Sequence, residues 1–126
     1  MKIQDALNET LEKTPSLELV AFGDLSTGLI LNSASRAACP REVLDLIAER
    51  AAAGFSQLNA TALPTGSNAE AYGTTVIYFT ERNAEIFARH PEAAEDVVCA
   101  VCRPGTPLLP ALRAGLRLAY RIADTT

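Results

Sequence analysis

The stretch Asp96-Val-Val-Cys-Ala-Val-Cys-Arg-Pro-Gly105 holds two of the three cysteines at a Cys-x-x-Cys spacing, the pattern of zinc sites and redox dithiols. A redox pair of this kind opens a helix that follows a strand, where the helix dipole lowers a thiol pKa. Cys99 and Cys102 instead sit inside Val97-Val-Cys-Ala-Val-Cys, an apolar run that reads as a strand. Side chains alternate along a strand, so residues three apart point to opposite faces. At about 3.3 Å per residue their Cα atoms lie roughly 10 Å apart, beyond the roughly 7 Å reach of a disulfide. Zinc would need a second ligand pair, yet the single histidine is His90 and Cys39 is distant in sequence. Both thiols therefore read as small buried hydrophobes.

The other reactive residues are sparser. His90 stands before Pro91 at a strand end and reads as a surface residue; a Ser–His–acid arrangement would have to use it. The sequence holds no Gly-x-x-x-x-Gly-Lys-Ser/Thr loop and no Gly-x-Gly-x-x-Gly turn to cradle a nucleotide. Glu92, Glu95 and Asp96 crowd one connection, a solvated loop by default and a divalent-cation site as the alternative. Arg113, Arg117 and Arg121 recur every four residues, a helical stripe that reads as a solvated edge or as a surface for an acidic partner. Cys39, at the start of a helix, is either structural or a thiol of lowered pKa. No constellation supports catalysis, and neither a cofactor nor a metal is expected.

These residues must be held by a chain of 126 residues, 48% hydrophobic and 21% charged, the balance of one domain spanning 1–126 with a substantial core. No apolar run approaches the roughly 20 residues needed to span a bilayer. The first residues mix charges and lack a hydrophobic signal region, so membrane insertion is not expected and the location is expected to be cytoplasmic. The net charge of −4 argues against nucleic acid as a partner. It is unevenly spread: from Arg103 onward four arginines and one aspartate give +3, which leaves −7 on residues 1–102.

Periodicity places a helix over 3–13, ended by Pro15, then apolar runs at 17–22 and 29–31 joined by Gly23-Asp-Leu-Ser-Thr-Gly28. Those runs are solidly apolar and suit strands covered on both sides. A second helix begins at Pro40 and continues to about Phe55–Leu58, followed by a breaker-rich loop over 59–72. At about 100° per residue, Val43, Leu44, Ile47, Ala48, Ala51, Gly54 and Phe55 fill an apolar arc of roughly 140°, with Leu46 outside it. That arc is wider than one sheet contact needs. Strands are expected over 74–80, 84–89 and 96–103, with short antiparallel links. A last helix spans 107–123, with Leu109, Leu112, Leu116, Ala119 and Ala123 along its centre and the three arginines on a wet edge. The fold class is α+β: a five-stranded, mostly antiparallel sheet with helices on both faces, in the order α-β-β-α-β-β-β-α.

This order, together with Leu19-Val-Ala-Phe-Gly-Asp-Leu-Ser-Thr-Gly-Leu-Ile-Leu-Asn-Ser-Ala-Ser35, resembles the roadblock / dynein light chain family, including its bacterial members that partner small Ras-like GTPases. Asp24, Gly28 and Ser33 stand where that family ends its first strand, turns, and ends its second strand. Longin and profilin-like domains share a similar layered build. The resemblance implies a noncatalytic homodimer in which the middle helices pack antiparallel and the third strands pair edge to edge. Mapped onto this chain, the implied dimer contact is Val43, Leu44, Ile47, Ala48, Ala51 and Phe55 of the helix with Thr75, Ile77 and Phe79 of the strand. An uncapped strand edge invites aggregation, and a second copy would cap it. The implied partners are the chain itself and a small GTPase or a sensor kinase. The reading from another class is a small-ligand sensor, or an enzyme, with a pocket between sheet and helix.

Overall fold

A computed structural model describes residues 2–61 and 75–125. They form α1 (Ile3–Lys13), β1 (Leu17–Asp24), β2 (Leu29–Ser35), α2 (Arg41–Thr61), β3 (Thr75–Phe79), β4 (Ala84–Ala88), β5 (Asp96–Cys102) and α3 (Leu108–Thr125). This is the expected α+β order. The strands make one sheet in the order β2-β1-β5-β4-β3, with every neighbouring pair antiparallel, so β2 and β3 are its edges.

Helices on both faces explain why β1, β4 and β5 are buried almost throughout. Alternation sends Val20, Phe22, Ile86, Val98 and Cys102 to the side covered by α1 and α3, and Leu19, Ala21, Phe87, Val97 and Cys99 to the side covered by α2. The two cysteines of the Cys-x-x-Cys pattern thus lie on opposite faces of β5, as strand geometry requires. Burial pushes the Cys99 thiol up to about 12, with the Glu85 charge adding to it, and pushes Cys102 up as well. Both are packing residues.

Several boundaries and faces differ from the sequence reading. β2 runs on to Ser35 and is not covered on both sides: Leu29 and Leu31 are exposed while Ile30 between them is buried. Alternation points Ile30 toward α2 and puts Leu29 and Leu31 on the opposite face, where this end of the sheet leaves them exposed. α2 does not end near Gly54 or Leu58 but continues to Thr61; of the expected 59–72 loop, 62–72 lie outside the described residues, as does Thr74 of the expected strand. On α3 the buried line is Ala111, Gly115, Leu118, Ala119 and Ile122, whereas Leu109 is exposed. Small residues mark the contact: a Cβ at Gly115 would stand 3.9 Å from both Ala100 Cβ and Ile86 Cγ2, ordinary packing distance, so this stretch of α3 lies on β4 and β5.

The motif residues of the β1–β2 turn have local work. Asp24 Oδ1 accepts from Ser26 N at 2.9 Å and Ser26 Oγ at 2.7 Å, and these bonds hold its carboxyl below the usual range. Gly28, at φ +73°, donates its amide to the Asp24 carbonyl at 2.9 Å. Beyond β2, Arg36 donates Nε to the Leu17 carbonyl at 2.6 Å and Nη2 to the carbonyls of Leu11 and Thr14 at 2.7 and 3.1 Å. Those last carbonyls of α1 lack intrahelical donors, and a cation suits the negative end of the dipole.

Candidate interaction surface

α2 divides its residues between two tasks. Leu44, Ile47, Ala48, Ala51 and Phe55 recur at spacings of three and four and are buried against the subunit's own sheet. The sequence reading shared this row between the subunit's own sheet and a twin helix. Within the subunit the sheet buries all of it, because α2 alone among the described helices covers the face that presents Leu19, Ala21, Ile30, Phe87, Val97 and Cys99. One helix serving that width uses nearly its whole apolar arc. Of the arc residues named for a partner, Val43 stays largely outside, 41% exposed, and beside it stands Leu46, 50% exposed, which the arc had left out.

Val43, Leu46, Arg50 and Ala53 share one flank of α2 by the same periodicity. Arg50 fixes where that flank points. Its guanidinium grips Glu85 on β4 through Nε–Oε1 and Nη2–Oε2, both 2.6 Å, and lies 5.7 Å from the centre of the Tyr78 ring on β3. The hydrogen bonds to Glu85 hold the guanidinium pKa above its ordinary value. The next turn carries Gly54, where a Cβ would stand 2.8 Å from Val76 Cγ1, so the missing side chain lets α2 lie directly on β3. The flank therefore runs alongside the β3 edge.

β3 pairs with β4 on one side and, among the described residues, with no strand on the other. Tyr78 is 47% and Phe79 70% exposed. The residues named from sequence, Thr75, Ile77 and Phe79, share the α1/α3 side of the strand, and Ile77 packs onto that core. Val76 faces α2, as Tyr78 must by alternation, so Tyr78 lies on the α2 side of β3 with its ring against Arg50. Sequence reasoning missed Leu46, Tyr78 and the Arg50–Glu85 pair. The available signal was Glu85 itself, a carboxylate inside the otherwise apolar Ala84-Glu-Ile-Phe-Ala88, because buried carboxylates need partners.

The remaining candidates separate widely. Arg113, Arg117 and Arg121 are exposed along α3, and Arg121 Nη2 lies 3.6 Å from Glu9 of α1. Cys39 precedes α2, and burial raises its thiol pKa, against the lowered value weighed from its place near a helix start. Pro40, whose carbonyl accepts from Val43 N and Leu44 N, separates Cys39 from the helix, and the helix-end field is strong only within the first turn. His90 is half-buried, not a plain surface residue: its ring meets Tyr120 edge to face at 4.4 Å, and its Nδ1 accepts from Glu92 N at 3.0 Å. Among the described residues, no three His, Cys, Asp or Glu side chains come together as a group able to hold a metal.

No protein-family model and no curated protein sequence matches the chain. Solved structures do. A roadblock/LC7 domain from Streptomyces avermitilis superposes with a TM-score of 0.78 at 8% identity, over 99% of this chain and 98% of that one. An MglB with a tetrameric arrangement superposes at 0.71 with 20% identity, over 97% and 85%. The profilin of Schizosaccharomyces pombe superposes at 0.65 with 12% identity, over 98% of each chain. At such identities the likeness is one of architecture, and it matches the helix and strand order described above. The chain has the roadblock/LC7 fold, in the layered build that profilins share.

Proposed function

We propose that this protein is a noncatalytic, cytoplasmic homodimer that binds and regulates a small Ras-like GTPase or a related signalling partner. The observation that carries the reading is the exposure of Val43 and Leu46 on the α2 flank and of Tyr78 beside Arg50, next to an edge of β3 that pairs with no described strand. In the proposed dimer two such flanks pack antiparallel and two β3 strands pair, which buries these side chains and completes the ladder. This retains the dimer geometry implied by the family resemblance and moves its helix contact by about a third of a turn. The inner row, Leu44, Ile47, Ala48, Ala51 and Phe55, acts as the support beneath the contact. One structure of the same fold, an MglB, has a tetrameric arrangement, which favours assembly as a property of this architecture.

The GTPase part rests on the family resemblance in the Asp24–Ser33 segment and the element order. Its test is direct. A small Ras-like GTPase from the same genome, loaded with GTP, is mixed with the protein; complex formation and a changed hydrolysis rate are expected. No complex with any such GTPase would refute it.

A further inference from the structure

Two exposed helix faces on opposite sides of the sheet carry opposite charge, and neither belongs to the surface just described. On α2, Glu42, Asp45 and Glu49 recur at spacings of three and four on the outer face and are exposed. Arg41 lies 3.3 Å from Asp45 and offsets part of this charge. On α3, Arg113, Arg117 and Arg121 are exposed at spacings of four, beside the exposed side chains of Leu109 and Tyr120. Glu9, 3.6 Å from Arg121, and Asp124 temper one end of that row. At about 1.5 Å per residue the acidic row is roughly 10 Å long and the basic row roughly 12 Å, so the two are commensurate.

α2 and α3 cover opposite faces of the sheet, so one copy cannot bring its own rows together. Two copies can. We propose that the acidic outer face of α2 in one copy docks on the basic outer face of α3 in another, a contact that stacks copies head to tail. Charge complementarity names the occupant. The chain itself supplies both signs, −7 over residues 1–102 and +3 from Arg103 onward. Leu109 and Tyr120 add exposed apolar area beside the basic row. Each copy offers one face of each kind on opposite sides, so the contact is heterologous and leaves a free face of each kind for further copies. It is also screened over about 10 Å at 0.1 M salt, which makes assembly salt-dependent.

This inference does not require the β3-edge dimer, and salt separates the two. The apolar dimer contact sets the mass at high salt; stacking is the increase as salt is lowered. Sedimentation velocity at high micromolar concentration should show the weight-average coefficient rising from high to low sodium chloride. The triple variant Arg113→Glu, Arg117→Glu, Arg121→Glu and the triple variant Glu42→Lys, Asp45→Lys, Glu49→Lys should each lose the low-salt species, with association weakened at least about tenfold by like-charge contact. An equimolar mixture of the two variants should regain it, because each then supplies the sign that the other needs. All six positions are exposed, and unchanged circular dichroism checks that both variants fold. A wild-type coefficient independent of salt, a low-salt species that survives both reversals, or a mixture no larger than its parts would overturn the proposal.

Discussion

β2 and β3 both end the sheet, yet α1 plugs the first with a side chain while no described residue does so for the second. Gln4 Nε2 donates to the Ser33 carbonyl at 2.9 Å, and Asn32 Nδ2 donates to Gln4 Oε1 at 3.3 Å, which ties the end of β2 to α1. The β1–β2 ladder also shifts register between Phe22 and Gly23, and a Cβ at Gly23 would stand 2.9 Å from the Leu29 carbonyl oxygen. A bulge and an occupied carbonyl spoil an edge as a template for another strand. β3, in contrast, pairs with β4 in unbroken register and ends in the exposed Tyr78 and Phe79. The two edges differ in more than exposed apolar side chains: β2 has its leucines but an irregular, occupied edge, whereas β3 has a regular ladder with no described strand on its outer side.

The largest test of this contrast lies beneath the β3 edge. Ile47→Glu would place a carboxylate in the core under α2, so we expect it to unfold the subunit, at about 3–5 kcal/mol, rather than split a folded dimer. Denaturant melts followed by light scattering separate the two outcomes. The centre of the sheet offers a control that neither edge should affect. Folding holds the Cys99 proton to about 12 against an ordinary 9.0, so its contribution to stability is complete below pH 9 and is lost as pH rises toward 12. Cys99→Ala should flatten that alkaline decline in thermal melts.

Smaller effects bear on the edges themselves. Glu85→Gln removes the charge that Arg50 grips, leaving a half-buried guanidinium; we expect a loss of about 1–3 kcal/mol and a looser α2–β3 seam, seen as faster amide exchange in β3. Gln4→Ala frees the Ser33 carbonyl and should lower stability by about 0.5–1.5 kcal/mol. It should also raise concentration-dependent association through β2, which light scattering reads. If that variant associates no more than the parent, the Gln4 plug is not what keeps β2 unpaired.

Much of the architecture was legible in the chain. Val97-Val-Cys-Ala-Val-Cys announced a strand covered on both faces, and the spacing of its cysteines set them on opposite sides. Apolar periodicity placed α1 and the start of α2, and the arginines marked the wet side of α3. What stayed hidden depends on neighbours distant in sequence. The width of an apolar arc does not say how many strands one helix must cover, so Ile47 and Phe55 read as shared between sheet and twin helix, and the sheet buries both. Leu46 looked misplaced for the same reason, since it belongs to a flank and not to the arc. The parity of β3 is set by its pairing with β4, where Val76 stands opposite Phe87 on the side of α2, beside Gly54. On α3, leucines drew attention away from Ala111 and Gly115, whose smallness is the actual mark of contact.

The most direct test places Val43→Glu and Leu46→Glu together on the outer flank of α2 and weighs the protein by light scattering in high salt. Both positions are exposed, so stability should change by no more than about 1 kcal/mol. We expect the parent to weigh twice the 13.4 kDa of one chain and the double variant to weigh that of a single folded chain. A parent that is monomeric, or a double variant that stays dimeric, would contradict the flank of α2 and the edge of β3 as the meeting surface.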